Sequence, residues 1–308
     1  MRGKRILPVI LALALLLTGC GPLVEEDNND KEFSVYASFY PVYALSSMII
    51  KEIDNMNLAC LIQPQDGCLR SYALSDWDLY LASNADLVIV NGNGLESFES
   101  ILSALGEEGP AVIGATSGLV LYKPEITDDT QSHFHGANPW LFLSVEGAKE
   151  MLRAICAGMI YLDPGYEEKY AENLLRAENE LTELKEKMSR IVGEKAKGFP
   201  VAVAHEGLLY FANEWETDVR AVIQRESGVM PDENELSEML QTLEHSGAKT
   251  VLIEKQAPQA LLKALKDSGY NCALMNTLSA GNAETGTQGY FDAMIFNAES
   301  LAEQLKEE

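Results

Sequence analysis

The chain has 308 residues, 47% of them apolar and 23% charged, with 47 acidic side chains against 23 basic ones. That length and apolar share suit one large or two modest domains with real cores. The formal net charge of −24 argues against nucleic acid as a partner, since phosphate binding needs a basic face that releases counterions. It also argues against polybasic docking on anionic lipid. Aromatic and branched residues throughout exclude general disorder, and five cysteines are too few for a disulfide scaffold.

In chain order, Arg2, Lys4 and Arg5 precede the apolar run Ile6–Leu17. Twelve residues cannot cross a bilayer core of about 30 Å as a helix, so residues 1–19 read as a signal peptide. The segment ends in Leu17-Thr18-Gly19-Cys20, which resembles the bacterial lipobox. That resemblance implies lipidation of Cys20 as the mature N-terminus. Without the three leader charges the chain has 20 basic and 47 acidic residues, a net −27. Residues 20–32, acidic and poor in apolar groups, suit a flexible tether. The expectation is an extracytoplasmic protein anchored to the cell membrane by acyl chains.

The mature chain reads as α/β, with an N-terminal lobe over 33–162, one long connecting helix over 163–197 and a C-terminal lobe over 198–308. Phe33–Phe39 predicts a strand leading into a helix near Val42–Ile53, and Leu58–Ile62 is a short apolar run. Asp76–Ala82 predicts a helix, Asp86–Val90 a fully apolar strand and Ala111–Ile113 another. Continuous apolar runs alternating with helices predict parallel sheets buried on both faces, and residues 123–139 predict a long loop. Asp163-Pro164 has the form of a helix start. Apolar residues then recur at Tyr166, Tyr170, Leu174, Ala177, Leu181, Leu184, Met188 and Ile191 for about seven turns, roughly 40 Å. This single stripe predicts a strut laid across both lobes. The C-terminal lobe predicts strands at Val201–Ala204, Val219–Ile223, Thr250–Glu254 and Cys272–Met275. Its helices are predicted near Leu208–Glu214, Glu233–Leu243, Pro258–Ser268 and Gly289–Leu305. No sequence repeat relates the lobes.

Enzyme signatures are incomplete, so no catalytic activity is expected. Asn91-Gly92-Asn93-Gly94 follows a strand, but Ser97 stands where a dinucleotide fingerprint needs its third glycine. His205-Glu206 opens like a zincin motif, but Leu209 occupies the place of its second histidine. No Gly-x-Ser-x-Gly elbow occurs. Asp76 and Asp78 point apart on a helix and read as surface groups.

Several segments in order carry a resemblance over about 270 residues: Ser38-Phe39-Tyr40-Pro41-Val42-Tyr43, Asn84–Phe98, His205-Glu206 with Tyr210-Phe211-Ala212, and Val222-Ile223 onward through Gly228, Pro231 and Leu236. Together with two α/β lobes, one long helix and a lipobox, they resemble the solute-binding lipoproteins of zinc and manganese ABC transporters. The resemblance implies two Rossmann-like lobes with parallel sheets and a monomer. It also implies a transported zinc or manganese ion held between the lobes, and a permease with its ATPase as partners. The family's usual donors are three histidines and one carboxylate, which suit zinc. Carried over residue by residue, the first ligand position is Arg70, the second is Trp140 in Asn138-Pro139-Trp140, the third is an intact His205, and the carboxylate position is Asn276.

A guanidinium has no lone pair for a metal, so Arg70 either repels a dication or pairs with a carboxylate such as Glu206. Trp140 either packs between the lobes or offers a flat wall and one N–H donor to an organic group. His133 and His135 either are solvated loop histidines or rebuild a metal site with His205 and Glu206. The second reading of the chain is therefore a metal-free binding or interaction module recognising an anionic or aromatic solute or a protein partner. His245 at a helix end reads as structural. Cys60 and Cys68 flank a short turn and either pair or stay as thiols, while Cys156 and Cys272 read as buried thiols.

Overall fold

The computed structural model describes residues 32–62, 69, 72–122, 137–223 and 228–306. Among these residues, eight strands form two four-stranded sheets: β1 (Phe33–Ala37), β2 (Met56–Cys60), β3 (Leu87–Val90) and β4 (Ala111–Gly114) in the first, β5 (Pro200–Val203), β6 (Asp218–Val222), β7 (Thr250–Glu254) and β8 (Asn271–Met275) in the second. Every pairing is parallel. β3 and β7 are buried at each residue, as strands covered by helices on both faces must be. The strand orders are β2-β1-β3-β4 and β6-β5-β7-β8, so the lobes share one topology despite the absence of a sequence repeat. In each sheet the order reverses beside its first strand, between β1 and β3 and between β5 and β7. Loops leaving carboxyl ends diverge at such points and leave a crevice.

The helices are α1 (Tyr40–Ile50), α2 (Asp76–Ser83), α3 (Glu99–Ala104), α4 (Val145–Leu162), α5 (Glu167–Val192), α6 (Leu208–Glu214), α7 (Glu233–Ser246), α8 (Gln259–Asp267) and α9 (Gly286–Gln304). Their ends follow local chemistry. Ser75 and Asp78 close a capping box on α2, as Asp232 and Glu235 do on α7, so Asp78 is more than a surface charge. The connecting helix is regular over Glu167–Val192, with a 3-10 turn at Pro164–Tyr166 before it and another at Glu194–Ala196 after it. Asp163 does not cap it, because its Oδ2 accepts the Tyr170 hydroxyl at 3.0 Å. Gly193, at φ +67°, ends it. The buried stripe also contains a polar residue: Asn173 donates to the Ile49 and Lys51 carbonyls at 2.8 and 2.7 Å, satisfying orphan acceptors at the end of α1.

α5 packs against α4, α9 and α1, as a strut between lobes must. The structure adds a second brace that hydrophobic periodicity does not announce. α9, at the end of the C-terminal lobe, also packs on α1. Tyr40 donates to the Gly286 carbonyl at 2.9 Å, and Tyr290 donates to the Phe142 carbonyl at 2.8 Å. One apolar cluster is continuous from β1 and β3 through α4 and α5 to β5 and α9, while a smaller one fills the space between β6, β7, α7 and α8. Glu214, the last residue of α6, reaches across to the first turn of α4. Its carboxylate accepts Val145 N–H at 2.9 Å and Glu146 N–H at 3.2 Å, and Lys185 of α5 lies 3.5 Å away. A carboxylate from one lobe thus caps a helix of the other.

The carboxyl ends of β1 and β3 are tied together by Glu96. It is buried and accepts Ser38 Oγ–H at 2.6 Å, Asn91 N–H at 2.6 Å and Gly92 N–H at 3.1 Å. The turn that brings Glu96 back uses left-handed backbone at Gly92, Asn93 and Gly94, so these glycines and asparagine serve conformation rather than phosphate binding. Burial raises the Glu96 pKa from 4.5 to about 8, against the pull of its donors.

Two predictions follow from this packing. A Cβ on Gly281 would lie 1.9 Å from the Tyr40 ring, so Gly281→Ala is expected to cost roughly 1–3 kcal/mol, read as a lower denaturant midpoint at unchanged slope. A raised carboxyl pKa means that the contribution of Glu96 is complete below about pH 4.5 and is lost as pH climbs towards 8. The melting temperature of Glu96→Gln relative to wild type is therefore expected to rise between about pH 5 and 8. A difference that stays constant over that range contradicts the assignment.

Candidate functional site

The C-terminal half of the site begins where β5 ends. Ala204 N–H donates to Leu252 O, and the chain turns at His205-Glu206-Gly207 into α6, with the three carbonyls accepting Leu208, Leu209 and Tyr210 N–H. His205 and Glu206 are therefore placed at the switch point of the second sheet, and both are buried, at 3% and 1% exposure. The His205 ring caps its own turn: Nδ1 accepts the Gly207 N–H at 3.1 Å. With Nδ1 accepting, the neutral imidazole carries its proton on Nε2.

The N-terminal half is the segment Asn138-Pro139-Trp140. Asn91, at the switch point of the first sheet, donates to the Pro139 carbonyl at 3.0 Å. Asn138 Nδ2 donates to the Glu206 carbonyl at 2.8 Å, and its Oδ1 accepts Trp140 N–H at 3.1 Å. Tyr210 Oη donates to the Asn138 carbonyl at 2.8 Å and accepts Tyr122 N–H at 3.2 Å; burial pushes its pKa up to about 12. The segment is thus strung between the two switch points, with its backbone polar groups satisfied from both lobes.

Trp140 fills the space between them. It is 2% exposed, its ring lies 4.6 Å from that of His205 at 83°, and it lies 5.6 Å from Phe142. Gly207 permits this contact, since a Cβ there would sit 2.7 Å from Trp140 Cγ. The indole N–H has no hydrogen-bond partner among the described residues.

Among the described residues no group of three or more His, Cys, Asp and Glu side chains gathers. The structure brings His205, Glu206 and Trp140 together. Asn276 follows β8, two strands from β5; its Oδ1 closes a turn by accepting Leu278 N–H at 2.9 Å, and its backbone is clasped by Asn297. Arg70, His133, His135, Cys68 and the segment containing Cys20 lie outside the described residues. Cys60 is a free thiol that donates to the Ile62 carbonyl, with its pKa pushed up to about 12 by burial. His245 sits in the last turn of α7, its Nδ1 2.7 Å from Gln241 O. Asn138, Gly207, Tyr210 and Asn91 make the seam, yet a hydrogen bond across 68 or 72 residues leaves no local pattern to read.

Residues 35–304 match the family described as ZnuA, zinc-uptake complex component A, periplasmic. The chain is 24% identical over 317 aligned positions to the high-affinity zinc uptake system protein ZnuA of Bacillus subtilis (strain 168), covering 96% of each chain. Its fold is similar to the manganese-bound solute-binding protein FpvC of Pseudomonas aeruginosa, with a TM-score of 0.76 and 21% identity over 90% of this chain and 99% of that one. It is also similar to the zinc-bound ZnuA-like domain of Streptococcus pneumoniae AdcA, with a TM-score of 0.69 and 20% identity over 90% and 98% of the chains. With the family matched along nearly the whole two-lobed body, the chain belongs to the zinc-uptake complex component A family of periplasmic proteins.

Proposed function

We propose that this chain is the extracytoplasmic solute-binding component of an ABC transporter for a divalent metal of the zinc and manganese class. In this reading the chain is anchored through a lipidated Cys20 and hands its cargo to a membrane permease. The observation that carries the proposal is that the neighbours His205 and Glu206 are both buried at the switch point of one sheet, with the His205 ring against Trp140 of the other lobe. Imidazole and carboxylate are the donors that zinc and manganese share. The relatives support the same cargo class: one is named for zinc uptake, and two solved structures hold manganese or zinc.

Two donors are short of the four that zinc takes. We assign the remainder to His133 and His135, because both ends of their loop are tied to the seam. Asn138 N–H donates to the Tyr122 carbonyl at 2.7 Å, and Tyr210 bonds both residues. His135 lies three residues from Asn138, within about 11 Å along an extended chain. The strongly acidic body favours approach of a cation over an anion. Among the described residues no helix is long and apolar enough to cross a membrane; the lipobox-like Leu17-Thr18-Gly19-Cys20 is what supports attachment through Cys20.

The test is calorimetric titration of zinc and manganese into the chelator-dialysed mature protein. One-to-one binding is expected, weakened at least about tenfold in His205→Ala and also in the double variant His133→Ala/His135→Ala. Undiminished binding in His205→Ala would refute the assigned donor.

A further inference from the structure

The pair His205 and Trp140 has a consequence for how cargo is admitted. In this arrangement the Nδ1 lone pair of the imidazole is engaged. Nδ1 accepts Gly207 N–H, and the neutral ring carries its proton on Nε2. A metal must sit about 2.0–2.1 Å from an imidazole nitrogen, whereas the Trp140 ring stands edge-to-face against that imidazole at 4.6 Å and both residues are almost wholly buried. The contact is built rather than incidental. Gly207 lacks the Cβ that would strike the indole, Asn138 holds the neighbouring backbone to Glu206 O, and Phe142 backs the ring. Yet the indole N–H is buried with no partner among the described residues. An orphaned buried donor is costly, so this position is less favourable for a tryptophan than its apolar contacts alone suggest, and the ring can be displaced.

We propose that Trp140 is an affinity-setting plug: its indole holds the lobes together without cargo, and a metal gains His205 only by displacing it. This rests on His205 being a cargo donor. Metal binding then includes two coupled changes, movement of the indole out of its buried position and release of His205 Nδ1 from Gly207 N–H. The wild-type affinity is the intrinsic affinity of the donors reduced by the population of the unplugged state.

Zinc affinity should be measured by competition with a chromogenic chelator for the mature wild type, Trp140→Ala and Trp140→Phe. Trp140→Ala is expected to bind at least tenfold more tightly, while Trp140→Phe, which keeps a ring and drops the orphaned N–H, stays within a few-fold of wild type. A folded Trp140→Ala with wild-type or weaker affinity overturns the plug and leaves the metal reading standing. Zinc binding by neither protein overturns both. Should Trp140→Ala fail to fold, the Trp77→Phe/Trp215→Phe protein keeps Trp140 as the sole indole, since the chain has three tryptophans. Its emission is expected to shift to the red at zinc saturation as the ring meets water, and an unchanged spectrum at saturation overturns displacement.

Discussion

The rest of the molecule is organised around one seam, where Asn138-Pro139-Trp140 of the N-terminal lobe lies on the His205-Glu206-Gly207 turn of the other. Parallel sheets leave their crevices at switch points, and the two switch points here face each other across this segment. Asn91 grips it from one sheet, and Glu206 and Tyr210 grip it from the other. Buried carbonyls without partners are costly, so the amide of Asn138 and the hydroxyl of Tyr210 are the reason a polar stretch can be closed off from water. Glu96 serves the same end one layer deeper by holding the loops after β1 and β3 together.

The seam lies within a scaffold that resists wide opening. The apolar core runs continuously from one lobe into the other, unlike two domains touching through a polar interface. α5 and α9 both bridge the lobes, and Glu214 fixes α6 to the start of α4 while His205 sits just ahead of the same short helix. Motion that admits cargo therefore has to be local: a ring, a turn or a loop, rather than a hinge. That requirement makes the identity of the residue facing His205 consequential, because in a rigid cleft a bulky side chain cannot be avoided by opening the lobes.

Charge distribution fits a scaffold that handles a cation. The body is strongly acidic, and among the described residues the seam is walled by Tyr210, Phe142 and Trp140 beside the buried His205 and Glu206. Low dielectric strengthens whatever electrostatic contact forms there and penalises any charge left unmatched.

Sequence alone determined the class of fold and most of its elements. Apolar runs such as Leu87–Val90 and Thr250–Glu254 can only be central strands of buried parallel sheets, and the stripe from Tyr170 to Met188 can only be a helix with one face packed. His205 was named at the sequence level only through the family resemblance, and the structure places it directly after one such strand, β5. These signals are local, set by the 2.0 and 3.6 residue periods. Tertiary structure decided everything that depends on distant residues meeting. It made Asp163 a partner of Tyr170 rather than a cap, Asn173 a polar member of an apolar stripe, α9 a second brace and Glu214 a cap on a helix 69 residues away. It also decided that Trp140 meets His205, a contact permitted by the missing side chain of Gly207. Such contacts join residues far apart in the chain, and the energy of each belongs to a pair that has no period and no spacing until the chain has folded.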